Sequence, residues 1–395
     1  MTTETSPFKQ LTYEFQGQTV TKDWVTENNF SAPKKLIVID DTFSADRYTS
    51  LASQGTSFVW MGDFQNAKNL LQAVQRRIKK HSAASQATDP QTMSKEFYRY
   101  RQYQAHKAQM LSRLMICVED DLSIKLPRAP DFSQAISEAV QLPAGGFLIS
   151  LRELQGFIGA HEWRKKGVAV AALGGHKIHA YYGVFSPVRG EYLDLVATAP
   201  LPNPTLIAFD IGTGTGVISA ILAQRGISKI IATDLDDRAI QCATSNIKNL
   251  GLEKLVAIQK TNLFPQGKAD LIVCNPPWLP AKPTSAIERA VYDEDSGMVK
   301  AFLNGITAHL NEHGEAWLII SDLAEHLGLR GADDLKNWIT QAKLDVIECM
   351  KIQPRHSKAN DEDDTLHAAR SKELTMLWRL KQMQAGVKTL PNVSI

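Results

Sequence analysis

The apolar run Leu271-Ile272-Val273-Cys274 stops abruptly at Asn275-Pro276-Pro277-Trp278. Consecutive prolines donate no backbone hydrogen bond, and each fixes its own φ. A buried strand therefore ends here in a rigid bend that presents one carboxamide and one indole at a fixed place. Upstream, Asp210-Ile211-Gly212-Thr213-Gly214-Thr215-Gly216 follows another apolar run and opens a helical pattern. Glycines 212, 214 and 216 permit a tight turn and bring backbone N–H groups close to a ligand at a helix N-terminus. Asp234 falls at the tip of the next apolar run, where an acid accepts hydrogen bonds from ribose hydroxyls.

Two nucleoside-bearing ligands compete for this loop. A dinucleotide site takes G-x-G-x-x-G, which would put the third glycine at position 217, but that residue is Val217. Asp210 also sits at the entry of the loop, where a carboxylate would face a pyrophosphate. A cationic or zwitterionic ligand suits it better, and S-adenosylmethionine carries a sulfonium, an ammonium and no phosphate. Charge favours it over NAD.

These residues need a scaffold, and the sequence around them alternates between two periods. Strand patterns lie at 206–212, 229–236, 256–262, 269–275 and 314–321, and helical patterns at 216–225, 237–251, 297–311 and 333–343. Nearly continuous apolar strands alternating with helices predict a mostly parallel sheet covered on both faces. The last two strands, near 345–353 and 374–380, have no helical pattern between them and are expected to pair antiparallel. The expected fold is α/β: a Rossmann-like, mostly parallel seven-stranded sheet ending in a C-terminal antiparallel hairpin.

The three prolines of 197–205 mark the expected boundary, giving an α+β substrate-recognition domain over 1–196 and a cofactor domain over 197–395. Two domains suit 395 residues. In the first part, helical patterns fall at 65–81, 94–116, 132–141 and 150–165, with strand-like pieces at 35–40 and 177–185. Residues 76–113 hold Arg76, Arg77, Lys79, Lys80, Lys95, Arg99, Arg101, Lys107 and Arg113 against Asp89 and Glu96, interleaved with Phe97, Tyr98, Tyr100 and Tyr103. Such a mixture can bind RNA through phosphate contacts and stacking. The plainer reading, which the helical spacing favours, turns the aromatics at 97, 100 and 103 inward and leaves a solvated charged face.

Bulk properties narrow the classes. A net charge of +2 excludes a polyelectrolyte, so any nucleic-acid affinity must come from a local patch. The start lacks a basic segment followed by an apolar one, and no apolar run reaches the roughly 18 residues of a membrane span, so a cytoplasmic protein without a membrane partner is expected. Cys117, Cys242, Cys274 and Cys349 form no CxxC pair, which fits a reducing compartment and no zinc ribbon.

The order of "DIGTGTGVISAILAQ", "ATDLD", "KTNLF" and "CNPPW" resembles that of class I S-adenosylmethionine-dependent methyltransferases. The N-P-P-aromatic motif is similar to that of the small-domain group, which includes HemK-like protein-glutamine methyltransferases and ribosomal RNA guanine-N2 enzymes. "YGVFSPVRGEYLDLV" (182–196) resembles the lead-in segment of HemK-like enzymes. The resemblance covers about 180–320 well, the final strands loosely, and residues 1–150 not at all. It implies S-adenosylmethionine as cofactor, held by Asp210, Gly212, Thr213, Gly214, Gly216, Asp234, Leu235, Asn262, Leu263 and Asn275. Asn262 stands where many relatives have aspartate. The implied acceptor is a planar amide or exocyclic amine in a protein, such as a translation factor or ribosomal protein, or in RNA.

On this reading the N-P-P-W turn has a chemical purpose. An amide or exocyclic amine nitrogen is a poor nucleophile because its lone pair is delocalised into the neighbouring π system. Two acceptors, the Asn275 side-chain oxygen and the Pro276 carbonyl, would hold the NH₂ and bias it towards sp³ geometry. Pro276 and Pro277 keep both rigid, and Trp278 offers a plane for stacking. Arg189 and Glu191 would lie near the mouth of the site as a cover or gate, or form a structural salt link. His309 and His313 have metal-ligand spacing but no third partner, so no metal is expected. His356 and His367 are expected to be solvated. The alternatives from other classes are an NAD-dependent oxidoreductase and a catalytically silent RNA- or ribosome-binding protein that kept the fold.

Overall fold

The computed structural model describes residues 7–28, 30–78, 89–188, 190–285, 287–355, 361 and 364–383. Two large sheets and one two-stranded ribbon organise them. The first contains β1 (Lys9–Phe15), β2 (Gln18–Trp24), β3 (Leu36–Ile39), β4 (Ser57–Trp60), β5 (Leu114–Val118) and β6 (Phe147–Ser150) in the order β1-β2-β6-β5-β4-β3. Helices α1 (Ala45–Ser53), α2 (Phe64–Arg77), α3 (Pro90–Leu111), α4 (Ser133–Ala139) and α5 (Leu151–Lys166) belong to this part of the chain. Its core is built around Tyr48, Phe58, Trp60, Ile116 and Phe147.

Several of these elements differ from expectation. The helix expected over 94–116 stops at Leu111, and 114–118 turn into a buried strand pairing β4 and β6. No glycine or proline marks that change; Ser112 alone caps the helix. The hairpin β1–β2 was not anticipated, although Leu11 and Tyr13 alternate inward and Gln16-Gly17, both at positive φ, make the turn. The strand expected over 177–185 shrinks to β8 (Lys177–Ile178), paired with β7 (Val168–Ala169).

The second sheet is the expected one. Strands β9 (Ile207–Ile211), β10 (Lys229–Asp234), β11 (Val256–Lys260), β12 (Ala269–Cys274), β13 (Leu310–Ser321), β14 (Leu344–Ile352) and β15 (Thr375–Gln382) stand in the order β11-β10-β9-β12-β13-β15-β14. All pairs are parallel except β13–β15 and β14–β15. Helices α6 (Glu191–Thr198), α7 (Val217–Gln224), α8 (Asp237–Asn249), α9 (Gly297–His309), α10 (Leu323–His326), α11 (Asp334–Gln341) and α12 (His367–Arg370) accompany it. The central strands β9, β12, β13 and β15 are largely buried on both faces, as a sheet between helix layers requires, while the edge strands β11 and β14 are mostly exposed.

Val170, Leu173, Ile178, Tyr192 and Val196 pack in the core of this second sheet, and Arg225 donates to the Val196 and Ala199 carbonyls. The chain from Val170 onwards thus folds with the cofactor sheet, about thirty residues before the proline-rich stretch at 197–205.

The two parts interlock. Met93 and Phe97 of α3 share a core with Leu279, Ala281, Leu323, Leu327 and Leu366. Arg238 pairs with Glu27 at 2.8 Å, and Asn28 bridges to Ser285. Among the described residues no helix is long and apolar enough to cross a membrane.

Candidate active site

The carboxyl ends of β9, β10 and β12 converge, and each delivers part of the site. Asp210, next to last in β9, is fully buried. Its Oδ2 accepts from Thr213 Oγ1 (2.6 Å), Ser219 Oγ (2.6 Å) and the Ser219 N–H (3.1 Å). The carboxylate therefore stitches the glycine loop to the first turn of α7, while its Oδ1 is buried without a hydrogen-bond partner. Burial, ahead of every other cause, holds this carboxyl above its ordinary range.

The loop itself runs through Gly212 (φ 70°), Gly214 (φ 56°) and Gly216 (φ 80°), conformations that L side chains rarely adopt. A Cβ at Gly212 would lie 2.9 Å from Met298 Cε, while one at Gly216 would meet Ala243 of α8 at ordinary contact distance, 3.4 Å. Asp234, at the tip of β10, accepts from the Gly214 N–H (3.0 Å) and the Asp236 N–H (3.0 Å). Burial raises its carboxyl too. Beside it Leu235 is 63% exposed, an apolar side chain left open at the rim. Thr233 Oγ1 donates to the Leu263 carbonyl, Leu263 holds a positive φ of 59°, and Asn262 is exposed.

At the end of β12 Pro276 is buried and Asn275 half-buried. The Trp278 indole N–H donates to Asn275 Oδ1 at 2.9 Å. Trp278 packs against both cores of the second sheet. The indole thus locks the carboxamide, and the second lone pair of Oδ1 stays available to another donor.

Three further side chains, Asp293, Met298 and Cys274, stand beside these. Asp293 accepts from the Met298 N–H (2.9 Å) and Val299 N–H (3.1 Å) at the start of α9, and burial raises its carboxyl. Met298 reaches over the glycine loop. The buried thiol of Cys274 is pushed well up by desolvation and then by Asp210, Asp293 and Asp234. Two consecutive non-glycine residues, Asp295 (φ 57°) and Ser296 (φ 55°), sit left-handed just before α9.

Tyr292 bridges to Leu279 directly after the N-P-P-W turn, and Arg101 of α3 holds it from outside. The guanidinium lies 4.0 Å from the Tyr292 ring centre, and Nη2 donates to the Lys282 carbonyl (2.8 Å) and Glu288 Oε2 (3.1 Å). No spacing rule could have joined Arg101 to a segment so distant in sequence. The acidic "DEDSG" run, by contrast, is a visible helix-start signal.

Other sequence candidates fall elsewhere. Phe97 is buried and Tyr100 packs beside it, as helical spacing predicts, while Tyr98 is 56% exposed. Arg77 pairs with Asp46 and Arg99 with Glu96, so the basic stretch is partly spent on internal contacts. His309 donates from Nδ1 to the Gly267 carbonyl oxygen (3.0 Å) and stacks on Phe264. Glu191 is buried at the start of α6, and His367 is half-buried. Lys79, Lys80, Arg189 and His356 lie outside the described residues.

The chain matches the methyltransferase small domain family over residues 176–341. It is 31% identical over 132 residues to the tRNA1(Val) (adenine(37)-N6)-methyltransferase of Cytophaga hutchinsonii, which covers 32% of this chain and 56% of that one. It is 32% identical over 172 residues to the enzyme of the same name from Pedobacter heparinus, covering 39% of this chain and 74% of that one. With the release factor glutamine methyltransferase of Streptococcus pneumoniae it shares 28% over 185 residues, 41% of this chain and 65% of the other. The chain thus spans little more than half the length of the first relative. Sheet order, glycine loop and these matches agree: the chain belongs to the class I S-adenosylmethionine-dependent methyltransferases of the small-domain group.

Proposed function

We propose that this chain transfers a methyl group from S-adenosylmethionine to the exocyclic amino nitrogen of a nucleobase in RNA. The observation that carries the reading is the Asn275 carboxamide, held by Trp278 at the strand edge that also carries the glycine loop and Asp234.

The residues present fit the cofactor. Asp210 and Asp234 both bind the glycine loop, Asp293 holds Met298 beside it, and one buried Asp210 oxygen is unpartnered, an environment that a cation completes and a pyrophosphate would aggravate. The glycine turn, left-handed at Gly212, Gly214 and Gly216, leads into α7 without Cβ atoms that would hinder a ligand's approach to its backbone. When bound, S-adenosylmethionine supplies an electrophilic methyl on a sulfonium.

The protein's part is placement. Asn275 Oδ1 accepts one amino hydrogen, and the Pro276 carbonyl accepts the other, so the lone pair turns out of conjugation and towards the methyl. The proline pair and the Trp278 hydrogen bond fix both acceptors beforehand, leaving little reorganisation for the transition state. The amine gains the methyl and then loses a proton to water, so no strong base is required.

Two of the relatives are named for adenine N6 in tRNA, which supports a base as acceptor. A protein glutamine is the second reading. The release-factor relative supports it, and so does the internal pairing of Arg77, Arg99 and Arg101. Incubating the protein and tritiated S-adenosylmethionine with extract from cells lacking it separates the two: label in ribonuclease-sensitive material supports the first, label in protein the second.

A further inference from the structure

The first part of the chain contains a cavity that methyl transfer does not use. It lies where the end of β2, the segment 30–35, the turn after α1 and the junction of α3 with β5 meet. Its volume is about 360 Å³, within the range of small-molecule sites.

Its lining is chemically one-sided. Arg113 gives Nη1 to the Gly55 carbonyl (2.8 Å) and Ser57 Oγ (3.4 Å), but its Nε is buried without a hydrogen-bond partner. Burial lowers this guanidinium, and among the described residues it makes no ion pair. Ser112 Oγ, in the same wall, is also buried and unpartnered. Lys34 and Lys35 stand exposed at the rim.

The one carboxylate in the lining, Glu153, is already engaged by Thr26 Oγ1 (3.0 Å) and the Glu27 N–H (2.7 Å). A half-buried arginine without an acid, two further cations and an orphaned hydroxyl form an incomplete anion site. Trp24, Phe30 and Met115 supply an apolar wall, and the amides of Gln54 and Gln109 can address polar ring edges.

We propose that this cavity binds a nucleotide, either a free nucleoside phosphate or one unit of an RNA chain. Arg113, Lys34 and Lys35 take the phosphate, and the apolar wall takes the base. The inference rests on the first part of the chain alone and stands or falls independently of methyl transfer. Glu27, which touches Glu153, also pairs with Arg238, so the cavity adjoins the strap that reaches the cofactor sheet.

The test is calorimetric titration of the full chain with each nucleoside 5′-monophosphate, its nucleoside, and a short mixed-sequence single-stranded RNA. Saturating S-adenosylhomocysteine keeps the glycine-loop site filled throughout. At least one monophosphate or the RNA should bind, and removing the phosphate should weaken binding about tenfold or more. Lys34→Ser with Lys35→Ser, both at exposed positions, should weaken it by a similar factor while the melting temperature stays unchanged. Arg113→Lys, which keeps the charge and loses the fork, should do the same. RNA binding tighter than every monophosphate assigns the site to RNA; the reverse assigns it to a free nucleotide. Absence of binding at millimolar ligand, nucleosides binding as well as nucleotides, or undiminished binding by the lysine double variant would overturn the proposal.

Discussion

Trp278 donates its indole N–H to Oδ1 of Asn275 across 2.9 Å, within a turn held by two prolines. The hydrogen bond fixes which edge of the carboxamide faces outward. An aromatic that sequence reasoning would use as a stacking plane is thus also the clamp of the neighbouring amide.

Trp278→Phe keeps the ring and removes the donor. Turnover should fall about tenfold as Asn275 loses its fixed orientation, with cofactor affinity unchanged. Steady-state kinetics beside a cofactor titration checks this, and an unaltered kcat would mean that the prolines alone suffice.

Asp234→Ala should weaken S-adenosylmethionine binding by about 1.5–3 kcal/mol, from the loss of charge-assisted hydrogen bonds. The variant also frees the Gly214 N–H, which Asp234 holds at 3.0 Å, so loop disorder contributes to the loss. Calorimetry that gave native affinity would remove Asp234 from the site.

Acidification should weaken the cofactor. Burial holds Asp210 and Asp234 above the ordinary carboxylate range. A raised folded pKa adds stability only while the group is protonated, fully present below the unfolded pKa and lost as pH rises through the folded one. A bound cation favours the charged carboxylates, so affinity should climb over that same interval. Titrations from the ordinary carboxylate range upward should show this rise, and Asp234→Asn should flatten it.

Arg101→Ala should raise the acceptor KM about tenfold and leave cofactor affinity alone, since the guanidinium grips Tyr292, Glu288 and the Lys282 carbonyl in the segment that follows the N-P-P-W turn. Equal losses in cofactor and acceptor binding would show that Arg101 only holds the two parts of the chain together.

Most of the cofactor half was legible because its signals are local. Gly212, Gly214 and Gly216 are needed where φ is positive, continuous apolar runs are needed where strands are buried on both faces, and Gly251 at φ 68° closes α8. Asp210 was assigned to the loop, but its inward turn, with Oδ2 bound to Thr213 and Ser219, depends on packing that spacing does not reveal. The first half was harder. Between α3 and β5 no breaker residue marks the change of period, and the β1–β2 hairpin is signalled by little more than Gly17. Arg101 joined the site through tertiary contact alone.

The most direct test is methyl transfer by Asn275→Ala. With tritiated S-adenosylmethionine and total RNA from cells lacking the protein, the native chain should label an amino nitrogen. The variant should bind cofactor normally and label about a hundredfold or more slowly, the usual worth of one transition-state hydrogen bond in a dry site. Labelling by the variant within a few-fold of native would contradict the account, because the N-P-P-W turn would then serve only to end a strand.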